Sequence, residues 1–352
     1  MPGHGTARAG GSRHRGAREQ HAATGISIQQ HALRGTQQVT RKTQQLVVLG
    51  GTGFVGSHLV PRLVADGHRV LLLSRNRERR RELGVLPSVR IRSVDIYDAN
   101  ALRRQFEGAD AVINLVGILN AFGKQTFQLA HVDLTQRVIA ACQAAGVARL
   151  HQMSALKAGQ GLSQYLKTKG EAESHVRNSS LDWTIYQPSV MFGRGGGLVD
   201  RFATLLRQMP VLPLARASSR LALTWVGDVA EAMARCVGDD KLGIDRSFEL
   251  YGPEVLTLGD IVRQVRDAAG LRTPILSLPD SLGRLQAPFA ELLPGKPFSL
   301  DNFRTLRTDS VGKQDGYAAL GITPQPLSAW LPLLLREPAR LRRLANARVS
   351  TR

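Results

Sequence analysis

Only two cysteines, Cys142 and Cys236, occur in 352 residues, far apart and each within a helical pattern. This excludes a disulfide scaffold and a metal site, and it points to a reducing compartment. No apolar stretch approaches the roughly 18 residues that a membrane-spanning helix requires. Nor does the N-terminal region hold the apolar core of a signal peptide. Aromatic residues are 5 % of the chain. They do not interleave with the basic residues and no nucleic-acid motif is present, so nucleic acid is not an expected partner. Acids are scarce too, 28 against 47 Lys and Arg, which leaves a net charge of +19.

Much of that charge sits at the ends. Residues 1–45 carry +6, from seven Arg and Lys against Glu19; residues 331–352 carry +5, from six arginines against Glu337. Basic tails suit an anionic surface or simply serve solubility. Residues 1–44 hold Gly, Ala, Gln, His and Arg without periodicity and cannot bury enough apolar surface to offset ordering entropy. A disordered basic extension, or an over-long start, is expected there. Its acid-poor composition overlaps a mitochondrial transit peptide but lacks the amphipathic apolar face.

What is present is concentrated in one motif. Leu46 to Leu49 form an apolar run that enters a glycine turn with Gly50, Gly53 and Gly56, and His58 to Ala65 then follow a helical pattern. Gly50 allows a tight turn, Gly53 lets backbone approach a pyrophosphate, and Gly56 lets the helix pack closely on the strand. The helix N-terminus offers N–H groups and a positive dipole end to phosphates. The motif therefore predicts a dinucleotide site with Gly50, Thr52, Gly53, Phe54 and Val55 under the phosphates. Three glycines at intervals of three, with Phe54 after the second, resemble the extended and atypical short-chain dehydrogenase/reductase superfamily, which includes sugar-nucleotide epimerases and dehydratases.

The second strand, Val70 to Leu73, bears on the choice of cofactor. NAD-binding folds place an acid at its tip for the adenosine ribose hydroxyls. Here Leu73-Ser74-Arg75-Asn76 stand instead. Arg75 can clamp a 2′-phosphate with two parallel N–H bonds. NADP(H) is thus expected in preference to NAD(H), with Asn76 beside it.

Strands then alternate with helices: Val89 to Val94, a helix at Asn100 to Phe106, Ala109 to Val116, a long helix at Gln125 to Ala145, Leu150 to Met153, a helix at Ser163 to Val176, and Trp183 to Gln187. Alternation of this kind means βαβ units and a parallel sheet, with ligands at the carboxyl ends of the strands. Asp95, Gly117, Ser154 and Pro188 stand at such ends, with Ile96, Val116 and Val190 beside them as further cofactor contacts. Asp95 is either an adenine-amine acceptor or a solvated acid. The second half has short elements: the glycine loop Gly193 to Gly197, helices near 198–207, 228–237 and 258–269, and strands at 247–250 and 275–278. The expected fold is α/β, a Rossmann-like doubly wound parallel sheet over residues 45–195. A C-terminal part with a small α/β substrate lobe follows over 196–336, then a basic tail over 337–352.

Tyr165 and Lys169 are four residues apart on a predicted helix and share a face. A tyrosine that exchanges a proton near neutrality needs its pKa lowered from about 10, and a neighbouring ammonium favours the phenolate. The superfamily resemblance makes Tyr165 the catalytic acid/base and Lys169 its partner and a nicotinamide-ribose ligand. The family's catalytic Ser or Thr maps near Ser154-Ala155, so Ser154 is the candidate, with Ser163 the alternative. His131 stands where the family often has Asn and is either a substrate-site residue or a satisfied buried histidine.

His131-Val132, Ser154-Ala155 and Pro188-Ser-Val-Met-Phe-Gly193 together resemble one atypical branch, which holds the accessory NADPH-binding subunit of respiratory complex I and its bacterial relatives. Pro297 to Asp309 and Leu320-Gly-Ile-Thr-Pro324 resemble it as well; Gln187, where Arg is common, departs from it. The resemblance implies an oxidoreductase on an alcohol/carbonyl pair, quinone-related substrates included, or alternatively a nucleotide-holding accessory factor. The location implied is cytoplasmic and membrane-peripheral, or alternatively the mitochondrial matrix. Ser328 to Arg348, with Trp330 and four leucines before Arg336, Arg340, Arg342 and Arg343, would touch an anionic membrane or a respiratory complex. The leucines alternatively close the core of the small lobe.

Overall fold

The computed structural model describes residues 42–75, 82–239, 241–283 and 299–335. Asn76, most of the predicted N-terminal extension and the arginines of the basic tail lie outside them. The main sheet is built from β1 (Gln45–Leu49), β2 (Arg69–Ser74), β3 (Val89–Ser93), β4 (Ala111–Asn114), β5 (Arg149–Met153), β6 (Asp182–Pro188) and a late strand, β9 (Arg246–Leu250). Its order is β9-β6-β5-β4-β1-β2-β3, and every neighbouring pair is parallel. The doubly wound sheet expected from the alternation is therefore present.

Side chains of a strand alternate between faces, and β1 shows what this builds. Leu46 and Val48 enter one core, Val47 and Leu49 the other. The first core is covered by α1 (Gly56–Ala65), through Leu59, Val60 and Leu63, and by Val229 and Met233 of a later helix, Val226–Gly238. The second is covered by α2 (Ala99–Phe106) and α3 (Leu134–Ala145), through Leu102, Phe106, Val138 and Cys142. β1 is buried on both faces, which is why it reads as a continuous apolar run.

Three details differ from the sequence reading. The strand at 247–250 does not stay with the second half but returns to the main sheet, with Phe248 opposite Tyr186 on β6. A short apolar run does not name its own pairing partner. β4 is shorter than expected, because Asn114 Oδ1 accepts the Val116 N–H at 3.2 Å and the following backbone leaves the sheet. The long helix opens with a π-helical turn, Gln128–Asp133, before α3 begins.

The remaining elements surround a third core. α4 (Gln164–Arg177) lies between β5 and β6. After β6 come β7 (Met191–Gly193), β8 (Gly196–Gly197) and α5 (Leu198–Gln208). Leu206 of α5, Ile261 and Val262 of the helix Leu258–Ala268, and Leu327, Leu331 and Leu335 of the last described helix, Leu327–Leu335, share this core. Trp330 stacks on Trp225 with ring centroids 4.1 Å apart. The leucines predicted to face a membrane thus close the small lobe, and only Leu333 among them is mostly exposed. No helix among the described residues is long and apolar enough to cross a membrane.

Burial sets the cost of truncation. Leu72→Ala, at a fully buried position on β2, is expected to lower stability by about 2–5 kcal/mol. Leu276→Ala, at a position 57 % exposed, is expected to change it by less than about 0.5 kcal/mol. Urea unfolding of both variants checks the assignment of the core.

Candidate functional site

The backbones leaving β1 and β4 run against each other. Gly50 has φ +73°, and a Cβ there would lie 3.1 Å from the carbonyl carbon of Leu115 and from the Val116 nitrogen. At Gly56 a Cβ would collide with the Gly51 backbone, so the first turn of α1 packs directly on the turn before it. α1 has no side-chain cap and no acid in its first turn. Ser57 N–H donates to the Gly53 carbonyl, and His58 and Leu59 N–H to that of Val55, at 2.9–3.0 Å, so only the N–H groups ahead of these, at the very start of the helix, are left for an anion. By contrast Asp98 caps α2 and Ser163 caps α4.

This turn forms one wall of a cleft of about 640 Å³ over the carboxyl ends of the strands. Gly50, Thr52, Gly53, Phe54, Val55, Arg75, Ile96, Val116, Gly117, Ser154, Tyr165 and Lys169 all line it. Pro188 and Val190 line an adjoining cavity of about 350 Å³ instead. The two cavities share Phe54, Leu119, Ser154, Tyr165 and Met191. Thr52 Oγ1 and Ser74 Oγ hydrogen-bond at 3.2 Å, tying the glycine turn to the end of β2. Asp95 does not line the cleft; its Oδ1 accepts the Tyr97 N–H at 3.0 Å. Tyr97 does, and Arg75 and Arg137 both oppose the upward shift that burial imposes on its phenol.

The far wall is β5 and α4. Ser154 is 4 % exposed and its Oγ has no hydrogen-bond partner among the described residues. Buried hydroxyls are normally paired, so this one fits a ligand oxygen. Lys169 Nζ donates to the Met153 carbonyl at 3.2 Å, and burial lowers its pKa to about 8, against a small opposing pull from Glu173. Tyr165, half-buried, has its ring centroid 5.6 Å from that of His131 and 6.2 Å from that of Phe127. Here the expectation of a lowered phenol pKa is corrected: burial pushes Tyr165 up to about 12. The glycine cradle, the uncapped helix and the unpaired Ser154 hydroxyl together suit a dinucleotide.

His131 is corrected too. Its Nε2 accepts the Ile118 N–H at 3.2 Å, so the ring proton sits on Nδ1, which bonds Thr168 Oγ1 at 2.9 Å. Both nitrogens are engaged and the ring does not line the cleft, so none is left for a substrate. The π turn that carries it aims the ring between the loop after β4 and α4, and such turns recur at functional sites. Ser163 is the buried N-cap of α4, its Oγ accepting the Leu166 N–H at 3.2 Å, and it does not line either cavity.

Comparison with known proteins agrees with this geometry. Residues 50–201 match the family model described as NAD(P)H-binding. Over that stretch the chain is similar to NAD(P)H-binding domains. It is 25 % identical to the mitochondrial NADH dehydrogenase [ubiquinone] 1 alpha subcomplex subunit 9 of Arabidopsis thaliana, over 80 % of this chain and 75 % of that one. It is 28 % identical to a ceramide reductase of Caulobacter vibrioides, over 67 % and 74 %. A dTDP-glucose 4,6-dehydratase from Streptomyces venezuelae, solved with NAD bound, shares the fold, with a TM-score of 0.67 at 21 % identity over 83 % and 96 %.

Two supports of this site were not read from the sequence. Asp301 accepts the backbone N–H groups of Gln164 and Tyr165 at 2.7 and 3.0 Å, capping the helix that bears Tyr165 from the far end of the chain. Gln187, the departure from the branch pattern, donates to both oxygens of Glu173 on α4, at 2.8 and 2.9 Å.

Burial holds His131 neutral, lowering its pKa to about 2, with the Lys169 charge acting in the same sense. The unfolded chain binds a proton at His131 near pH 6.5, whereas the folded chain does not, so this group removes stability as pH falls from about 6.5 towards 2. Urea unfolding at several pH values should show a shallower acid loss in His131→Gln than in the wild type. Equal slopes would mean that His131 is protonated in the folded protein.

Proposed function

We propose that this protein is an NADPH-dependent oxidoreductase that reduces a carbonyl group to an alcohol where the two cavities meet. The observation that carries the reading is the convergence of Ser154, Tyr165 and Lys169 on one wall of the glycine-lined cleft, with the Ser154 hydroxyl buried and unpaired. The reductase among the relatives agrees with it.

The bound nicotinamide supplies the hydride. Burial keeps the proton on Tyr165 at neutral pH, so Oη is an acid that can pass its proton to the carbonyl oxygen as charge builds there. Ser154 Oγ donates to the same oxygen. Lys169 remains largely protonated at neutral pH and stabilises the phenolate left on Tyr165 until solvent returns the proton. Gly50, Thr52, Gly53, Phe54 and Val55 hold the pyrophosphate. Ile96 flanks the adenine, and Val116, Gly117, Pro188 and Val190 flank the nicotinamide half.

Arg75 takes the 2′-phosphate, with Asn76 the neighbouring candidate, and this favours NADPH over NADH. Titration should show NADPH binding roughly tenfold tighter or more, in keeping with a charge-assisted bidentate contact, and Arg75→Glu should remove the preference. Equal affinities in the wild type would contradict the role given to Arg75.

A second reading is favoured by the Arabidopsis relative and by Ala155 and His131, where the family's catalytic pattern is altered: a nucleotide-holding accessory factor of a respiratory complex, cytoplasmic or mitochondrial, with the basic tail at the membrane surface. Incubation with NADPH and a panel of ketones, aldehydes and quinones separates the two. The oxidoreductase reading expects turnover that falls at least a hundredfold in Tyr165→Phe, a typical loss for an acid/base group. Nucleotide binding without turnover on the panel selects the accessory reading.

A further inference from the structure

We infer that the cavity beside the cofactor cleft selects a lipophilic carbonyl compound bearing an acidic group, and that Arg201 is the residue that holds that group. The inference rests on the oxidoreductase reading for the position of the carbonyl, and on the cavity itself for everything else.

The cavity is walled largely by apolar side chains, among them Leu156, Leu166, Leu198 and Leu306. Such a wall gains from burying a hydrocarbon chain. Polar side chains, among them Ser189, Asn302, Thr305 and Thr308, stand between these. Among the described residues no Asp or Glu lines it, and the cations that do are Lys157 and Arg201.

Arg201 lies in the first turn of α5, which begins at Leu198 and faces the cavity from the small lobe. Its side chain is half-buried, and no ion pair or hydrogen bond is made by it among the described residues. Several other half-buried arginines do have acidic partners: Arg62 and Arg235 pair with Glu231, and Arg216 with Asp280. A guanidinium withdrawn from water without a partner is costly, and burial accordingly lowers the pKa of Arg201. A carboxylate entering the cavity would relieve that cost with up to two parallel N–H bonds. Lys157 adds a second observation. It has φ +64°, the left-handed region that non-glycine residues rarely occupy. A lysine is held there only where its surroundings determine it, and it stands three residues after Ser154 on the same cavity wall.

Both Ser154 and Tyr165 line this cavity as well as the cleft. A chain lying along the apolar wall would therefore bring its carbonyl to Ser154 and Tyr165 while its acid meets Arg201. The chemistry requires one molecule with both groups.

The test compares acids with their methyl esters. Binding of 3-oxodecanoate, 9-oxodecanoate and the two methyl esters to the NADPH-loaded protein is measured by calorimetry, and turnover is followed separately by NADPH absorbance. At least one acid should bind ten times or more tighter than its ester, since charge-assisted hydrogen bonds are worth about that factor or more. The acid-over-ester ratio should fall towards one in Arg201→Met and be partly kept in Arg201→Lys, and NADPH affinity reports whether each variant is folded. Acid preference without turnover upholds this inference and removes the oxidoreductase reading. Equal affinity for acid and ester in the wild type overturns it, whatever the variants do. So does a preference that survives in Arg201→Met, or tighter binding of a UDP-sugar than of either acid.

Discussion

The cleft exists because two backbones meet without a side chain between them. After β1 the chain turns at Gly50 against the backbone of Leu115 and Val116, and from this contact the strand ends diverge. A methyl group at Gly50 would occupy the gap where the turn and the loop after β4 touch, at a backbone angle that only glycine adopts without strain. Every other feature of the site is arranged around that parting: the uncapped start of α1, the loop through Gly117, and the wall that carries Ser154 and Lys169. The sheet's two cores are the reason the parting holds its shape, since β1 and β4 are clamped from both faces.

The opposite wall is held by polar contacts rather than by packing alone. α4 is capped at its N-terminus by Asp301, braced to the loop after β4 by His131 through Thr168, and tied to β6 by Gln187 and Glu173. Three distant segments thus fix one helix, and that helix presents Tyr165 and Lys169. Buried polar groups of this kind are strong only when every partner is present. The unpaired Ser154 hydroxyl and the unpaired Arg201 guanidinium stand out against this background, because nearly everything around them is satisfied.

Much of this was legible in the sequence, for physical reasons that can be named. The spacing of Gly50, Gly53 and Gly56 follows directly from backbone approach, and the continuous apolar run of β1 follows from burial on two faces. Tyr165 and Lys169 were legible because a helix has a fixed period. His131 was not: a π turn adds a residue to the turn, and the ring's direction depends on that addition. The cap from Asp301 was not legible because it joins residues 136 apart, and local pattern carries no signal for such a pairing. Helix spacing shows the ammonium of Lys169 near Tyr165 but not the burial of the ring, and it is burial that raises the phenol pKa. The return of β9 to the main sheet has the same cause as the Asp301 cap, a partner chosen at long range.

The central claim is that one cleft holds the dinucleotide with its reacting end at Ser154 and Tyr165. A crystal structure of the NADPH complex tests it most directly. The account predicts the pyrophosphate over the turn from Gly50 to Gly56, the 2′-phosphate at Arg75, and the nicotinamide ring beside Ser154, Tyr165 and Lys169. A dinucleotide bound outside this cleft, or one lying in it with the adenine beside Tyr165, would contradict it.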